Sequence, residues 1–196
     1  KALADTARAL GLKIHLDGAR IFNSAVAQGV SLKDLTAEVD SVTVCLTKGL
    51  GCPVGALVLG TDEFASEARH WRQAVGGGMR QAGVIAAAGI VALDTMVDRL
   101  AADHANARRL AAHLAEAGLI LDSPADEVET NIVFAEIPAD LMDAEEFVKG
   151  LAQEGMEVNP PSNRRIRLVT HHDVSADDIE AAGAIVRKVL GSRSRS

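Results

Sequence analysis

Lys48 stands where a short apolar segment gives way to a glycine-rich loop, in the stretch DSVTVCLTKGLGCPVG at residues 40–55. Residues 41–46 are β-branched or small and mostly apolar, which predicts an interior strand, and the glycines that follow break regular structure. Ligands bind at the carboxyl ends of strands in open α/β sheets, and a lysine that loses its proton there can act as a nucleophile. An isolated loop lysine is more often a solvated surface charge, so this interpretation needs a second chemical group.

Asp17 is a candidate for that second group, because it ends the predicted strand that precedes Lys48. It lies in the stretch HLDGAR. A carboxylate at this position can keep the ring nitrogen of pyridoxal phosphate (PLP) protonated, as the cofactor requires when it accepts electrons. An Asp-Gly pair is also a common turn, which would explain Asp17 alone but not its pairing with Lys48. His15 has the same strand parity as Asp17, and we expect it to have a supporting or core role rather than a directly catalytic one.

Four segments together resemble the low-specificity L-threonine aldolase family, in the β-eliminating lyase group of fold-type-I PLP enzymes. In chain order they are HLDGARIFNSAVAQGV, DSVTVCLTKGLGCPVGALVLG, GGGMRQAG and IRLVTHHDV. Each string is short, but all four in the family's order are far more specific than any one of them. The resemblance implies a PLP-dependent lyase that cleaves L-threonine, L-allo-threonine or related β-hydroxy-α-amino acids to glycine and an aldehyde.

The resemblance also implies the residues that bind the cofactor. Lys48 in TKG is expected to be the catalytic residue and to form the Schiff base, and Asp17 is expected to pair with the pyridine nitrogen. Thr47 stands where the family more often has serine and keeps a hydroxyl beside the lysine. Arg80 in GGGMRQ is expected to help hold the cofactor phosphate across a subunit boundary.

Two further arginines, Arg20 in HLDGAR and Arg167 in IRLVT, are expected by the same resemblance to bind the substrate carboxylate. A planar guanidinium can hold a carboxylate through two parallel hydrogen bonds, which a lysine ammonium cannot do. No metal site is expected, because the side chains of His171, His172 and Asp173 are adjacent and diverge along an extended segment.

The order of the predicted elements indicates an α/β fold, and the resemblance implies the PLP-dependent transferase type that aspartate aminotransferase represents (fold type I). Residues 1–98 are expected to be the C-terminal part of an incomplete PLP-binding large domain. Residues 99–191 are expected to form a small C-terminal α/β domain, and residues 192–196 a disordered tail.

Several element boundaries follow from local signals. Thr61 is predicted to cap the helix that follows it. Ser175, in the pattern Ser-x-x-Asp, is predicted to cap a second helix. The long helical stretch after Gly78 is predicted to bend or break near Met96. A short strand is predicted near Met156.

Part of the family's pattern is missing from the sequence, namely the glycine-containing phosphate loop and the histidine that stacks on the pyridine ring. The sequence therefore resembles the trailing part of an aldolase. Two alternatives stay open. One is a non-catalytic truncated fragment of such an enzyme, and the other is a different PLP-dependent β-eliminating lyase or a transaminase, which would use the same Lys48 and Asp17.

The composition limits the partners. A net charge of -7 and a pI near 5.3 argue against nucleic acid or an anionic membrane as the main partner and leave small molecules or protein surfaces. The resemblance implies that the partner is a small-molecule amino acid substrate. The longest apolar run, residues 82–93, is shorter than the roughly 18 residues that suggest a membrane span. Two cysteines fit no disulfide framework, so a reducing cytoplasm is expected. By the resemblance, the complete protein is expected to be a homo-oligomer, either a dimer or a tetramer.

Overall fold

The computed structural model describes residues 1–158 and 164–191. The chain forms two compact units, Lys1–Arg99 and the residues from Leu100 onward. Within the described residues, each unit has a three-stranded sheet. The tail predicted to be disordered, residues 192–196, lies outside the described residues.

The first unit begins with alternating helices and strands. Its elements, in chain order, are α1 (Ala2–Ala9), β1 (His15–Gly18), α2 (Ile21–Gln28), α3 (Leu32–Thr36), β2 (Ser41–Cys45), β3 (Ala56–Leu59), α4 (Asp62–Ala74) and α5 (Gly83–Thr95). The predicted cap of α4 is confirmed, since Thr61 Oγ1 accepts a hydrogen bond from the backbone N–H of Phe64 at 3.2 Å.

The first sheet has the strand order β1-β2-β3, with β1 parallel and β3 antiparallel to β2. Side chains alternate between its two faces. Val42 and Val44 are buried on one face, whereas Thr43 and Cys45 are half-buried on the other. This second face is therefore the more polar one.

Much of the apolar surface of the first unit is exposed. All four residues of β3 are exposed, and α5 buries only Gly89 and Ala92 although its sequence is almost wholly apolar. The exposed large side chains of β3, α4 and α5 are Leu57, Val58, Leu59, Trp71, Val84, Ile90, Val91 and Leu93. The sequence of α5 is thus typical of a buried helix, but the described residues cover only one narrow side of it.

The second unit packs helices on an antiparallel sheet. Its elements are α6 (Leu100–Glu116), β4 (Ile120–Leu121), a 3₁₀ turn (Ala125–Glu127), β5 (Ile132–Glu136), α7 (Ala144–Gln153), β6 (Arg165–Val169) and α8 (Ala176–Gly191). The strand order is β4-β5-β6. Its core joins alternate residues of β5 and β6 to the helices and includes Leu110, Val133, Ala135, Phe147, Ile166, Leu168 and Val186.

Close packing of α6 and α8 depends on Gly183. A Cβ atom added there would lie 2.6 Å from Cγ of His113, far inside normal contact distance. The predicted cap of α8 is also confirmed, because Ser175 and Asp178 exchange side-chain and backbone hydrogen bonds.

The predicted break near Met96 is confirmed, since α5 ends at Thr95 and α6 begins at Leu100. The predicted strand near Met156 is wrong. The Met156 N–H donates to the carbonyl of Leu151, and Met156 and Val158 pack against the core from a segment without regular structure.

None of the helices within residues 1–158 and 164–191 combines the length and the hydropathy that a bilayer crossing requires.

Candidate active site

Parallel pairing of β1 and β2 brings Asp17 and Lys48 to one edge of the first sheet. Asp17 lies opposite Thr43 in the register, and β2 ends at Cys45, just before Lys48. Because the carboxyl ends of parallel strands meet at the same sheet edge, the carboxylate and the amine belong to adjacent strand ends.

Backbone hydrogen bonds shape the loop that carries Lys48. The Lys48 carbonyl accepts from the N–H of Gly51 at 2.9 Å, and the Leu46 carbonyl accepts from the N–H of Cys52 at 3.0 Å. Leu46 and Leu50 are buried and anchor the loop, whereas the Lys48 side chain is exposed. Among the described residues, its amine forms no hydrogen bond or ion pair.

Asp17 lies near the end of β1, makes one local hydrogen bond and is exposed. Its Oδ1 accepts a hydrogen bond from the Ala19 N–H at 3.1 Å. The next residue must be glycine, because a Cβ atom at Gly18 would lie 2.8 Å from Val42 Cγ2 and 2.9 Å from the carbonyl oxygen of Thr43. Asp17 and Gly18 are the last two residues of β1, and the turn begins at Ala19, so the Asp-Gly pair does not itself form the turn. Asp17 Oδ2 has no partner among the described residues.

His15 lies two residues before Asp17 and on the same face of β1. Its Nδ1 is 2.8 Å from Ser41 Oγ, and its Nε2 is 3.0 Å from Thr43 Oγ1. Sequence reasoning missed Ser41 and Thr43 as part of the site. The polar residues at alternate positions of β2 were the available signal.

Cys45 and Thr47 stand beside Lys48 at the end of β2. Cys45 Sγ lies 3.1 Å from Thr47 Oγ1. Burial of the thiol opposes its ionisation, but hydrogen bonds from Thr47 and the positive charge of Lys48 outweigh it. The pKa of Cys45 is therefore below the ordinary value for a thiol.

Arg20 and Arg80 occupy helix-flanking positions in the first unit. Arg20 is half-buried and directly precedes α2, so it lies in the turn that follows β1. Arg80 is exposed in the turn before α5, and its side chain has no hydrogen bond or ion pair within the described residues.

Arg167 lies on β6 in the second unit, opposite Phe134 of β5. The two arginines before it are already engaged. Arg164 donates to the carbonyls of Ile137 and Met142, and Arg165 pairs with a carboxylate and stacks on the Phe134 ring. The half-buried Arg167 has no such partner within the described residues, and it lines a cavity of about 740 Å³.

Across the part of the chain that the structure describes, no group of three or more His, Cys, Asp or Glu side chains is placed to hold a metal ion.

The sequence profile of the β-eliminating lyase family matches residues 1–139. The chain belongs to the β-eliminating lyase family. That family is the group to which the four segments of the sequence pointed.

The family relatives include proteins named as threonine aldolases. The chain is 44% identical over 191 residues to the Arabidopsis thaliana protein named "Probable low-specificity L-threonine aldolase 2", covering 97% of this chain and 54% of that protein. It is 42% identical over 185 residues to the low specificity L-threonine aldolase of Escherichia coli strain K12, covering 93% of this chain and 53% of that protein. This β-eliminating lyase chain thus spans about half the length of the curated relatives that it matches.

A solved structure supports the fold assignment within the β-eliminating lyases. It comes from Exiguobacterium sp. 255-15 and is provisionally named an aromatic amino acid β-eliminating lyase/threonine aldolase. The TM-score is 0.76 at 20% identity, over 96% of this chain and 55% of that chain. The predicted fold class, α/β of PLP-enzyme fold type I with part of the fold present, is confirmed.

Proposed function

We propose that this chain is the lysine-bearing part of a PLP-dependent aldolase. The complete enzyme cleaves L-threonine, L-allo-threonine or related β-hydroxy-α-amino acids to glycine and an aldehyde. The relatives named as low-specificity threonine aldolases support this reaction, at 42–44% identity.

One observation carries the proposal: β1 and β2 pair in parallel, so Asp17 and the loop that carries Lys48 lie at the carboxyl ends of adjacent strands. The donor set fits PLP. The aldehyde carbon of the cofactor can react with an amine, and its ring nitrogen can pair with a carboxylate. The exposed Lys48 amine and Asp17 Oδ2 are available for these two groups, because neither has a partner among the described residues.

Bound PLP supplies an electron sink for the breaking Cα–Cβ bond. Lys48 would hold the cofactor through its side-chain amine, which is a nucleophile when it is unprotonated. Asp17 holds the proton on the ring nitrogen, because a nearby negative charge favours the protonated form of that nitrogen. Thr47, whose hydroxyl lies beside the lysine, belongs to the same cofactor-binding segment.

The proposed roles of the arginines follow from their charge and shape. Arg20 and Arg167 bind the carboxylate of the substrate and so orient its scissile bond, and Arg80 binds the phosphate of the cofactor. The contrast between neighbouring arginines supports Arg167, since Arg164 and Arg165 have partners and Arg167 has none within the described residues.

We place the complete enzyme in the cytoplasm as a homo-oligomer in which Arg80 serves the cofactor of a neighbouring subunit. The exposed position of Arg80 supports its role toward a neighbouring subunit. The two free thiols, Cys45 and Cys52, support a reducing compartment.

Borohydride trapping tests the site. The complete protein is loaded with PLP, reduced with borohydride, digested and analysed by mass spectrometry, and we expect the pyridoxyl label on Lys48. Lys13 and Lys33 are exposed in the same unit and serve as internal controls. A label on either of them instead of Lys48 contradicts the site assignment.

The reaction is tested separately by measuring glycine and acetaldehyde released from threonine. The Lys48→Arg variant keeps the charge but loses the nucleophile, and we expect it to form neither product. Labelling of Lys48 without threonine cleavage would instead identify another PLP lyase or a transaminase.

A further inference from the structure

The polar face of the first sheet contains a hydrogen-bonded group that the proposed roles do not use. His15 and Asp17 lie on one face of β1, and Ser41 and Thr43, their register partners on β2, lie on the same face. We call His15, Ser41 and Thr43 the strand-face cluster, because the His15 ring hydrogen-bonds to both hydroxyls. Its position beside the proposed ring-nitrogen partner raises the question of what its imidazole does.

Both ring nitrogens of His15 are used. Nδ1 bonds with Ser41 Oγ at 2.8 Å, and Nε2 bonds with Thr43 Oγ1 at 3.0 Å. A neutral imidazole has one donor and one acceptor nitrogen, and a hydroxyl can take either role, so both bonds form whichever nitrogen carries the proton. Rotating the ring would break both bonds, and the ring is therefore fixed against β2.

The fixed ring also ties the two strands together on the side where Asp17 projects. Thr43 is bonded to His15 and lies opposite Asp17 in the register. On the other face, Gly18 lets β1 approach Val42 and the Thr43 carbonyl closely. The lateral position of Asp17 is thus set from both faces of the sheet.

We propose that His15 is a positioning residue, which acts through Ser41 and Thr43 to hold Asp17 where its carboxylate meets the ring nitrogen of the cofactor. This inference rests on the proposed function. Its physical basis is that a charge-assisted hydrogen bond depends steeply on distance and angle, so a small displacement of the carboxylate weakens the bond to the ring nitrogen.

The test uses the complete enzyme loaded with PLP that carries ¹⁵N in its pyridine ring. The ¹⁵N chemical shift reports whether the ring nitrogen is protonated, which a merely structural role of His15 would not change. In His15→Ala we expect the shift to move toward the unprotonated value, with kcat lower by roughly ten- to a hundredfold and KM for threonine little changed.

Ser41→Ala and Thr43→Val each remove one hydroxyl and keep the proposal testable if His15→Ala does not fold. We expect each variant to move the ¹⁵N shift in the same direction. The double variant His15→Ala/Thr43→Val should have the same ¹⁵N shift and the same kcat as His15→Ala alone. Thr36→Val is the matched control, because Thr36 is half-buried and, among the described residues, its hydroxyl bonds only to the Leu32 carbonyl in α3. Its ¹⁵N shift and kcat should match the wild type.

An unchanged ¹⁵N shift in His15→Ala and in both hydroxyl variants overturns the inference, even where thermal stability falls. The proposed function has a separate outcome. Lys48 labelling together with threonine cleavage preserves that function even when the role of His15 fails, and the absence of labelling removes both.

Discussion

The side chain of Asp17 accepts a local hydrogen bond and carries a negative charge, and substitutions can remove the charge with or without the hydrogen bond. Oδ1 accepts from the Ala19 N–H, and an asparagine keeps this acceptor. In Asp17→Asn we therefore expect an unchanged thermal midpoint but a kcat that is lower by roughly a hundredfold or more, because an amide cannot hold the proton of the ring nitrogen. Steady-state kinetics and calorimetry of the complete enzyme measure the two effects.

Asp17→Ala is the matched variant, since it removes both the charge and the acceptor. We expect it to lose activity and also to unfold at a lower temperature. Near wild-type turnover in Asp17→Asn would show that the carboxylate has no role in the chemistry.

The thiol of Cys45 gives a second prediction for single residues. Its pKa is below the ordinary value, whereas burial, together with the neighbouring Cys45, raises the pKa of Cys52. Since the thiolate is the reacting form, alkylation of Cys45 should begin at a lower pH than alkylation of Cys52. Iodoacetamide labelling across pH, followed by peptide mapping, measures both midpoints.

The variant Thr47→Val tests the cause of this shift. It removes the hydroxyl that lies 3.1 Å from Cys45 Sγ and keeps the side-chain volume. We expect the Cys45 midpoint to rise and the Cys52 midpoint to stay in place. Equal midpoints for the two cysteines in the wild type would contradict the prediction.

Among the elements, α6 and α8 cross at a place that is sensitive to added volume. A methyl group at Gly183 would overlap the base of the His113 ring, which hydrogen-bonds Glu180 through Nε2. We expect Gly183→Ala to lower the free energy of unfolding by about 1–3 kcal/mol, as overpacking of a close contact does. Chemical denaturation of the complete protein measures the change.

Gly191→Ala is the control on the same helix, because no heavy atom of the described residues lies within 4 Å of its added Cβ, apart from its chain neighbours and the nearby backbone of α8 itself. It should leave the stability unchanged or raise it slightly. An equal loss in both variants would show that helix propensity or the unfolded state, rather than the contact with His113, sets the cost.

The predictability of these elements depends on how local their signals are. The caps at Thr61 and Ser175 and the break near Met96 were predictable, because each depends on residues within one or two turns. The short helix α3 was missed, since five residues show too little periodicity. The strand predicted near Met156 failed because an apolar segment can pack against a core without pairing in a sheet.

The same distinction applies to the candidate site. Asp17 and Lys48 were predictable as strand-end residues, and the family resemblance added the arginines. The bonds from His15 to Ser41 and Thr43 were not predictable, because they depend on the register between β1 and β2, and the sequence of either strand alone does not determine that register.

At the scale of the whole molecule, the exposed apolar surface of β3 and α5 leads to a prediction for this chain on its own. The 196-residue chain should bind PLP weakly and show little or no aldolase activity. Exposed strand edges and apolar faces favour aggregation. The cofactor phosphate is normally held by backbone N–H groups at a helix N-terminus, and here only Arg80 is proposed for it.

Titration of this chain with PLP, coupled to detection of acetaldehyde from threonine, measures both properties, and the complete protein is the control. Dye binding to apolar surface should be strong for the isolated chain and weak for the complete protein. Tight, saturable PLP binding with threonine cleavage by the isolated chain would contradict the prediction.

Trp71 gives the first unit a fluorescence signal of its own. The chain has one tryptophan and no tyrosine, so excitation at the red edge of the indole band produces emission from a single side chain. That indole is 58% exposed on α4, where its Nε1 donates to Glu67 Oε1 at 3.3 Å. Its emission should be red-shifted and open to quenching by iodide. A partner that covers α4 would shift the emission to the blue.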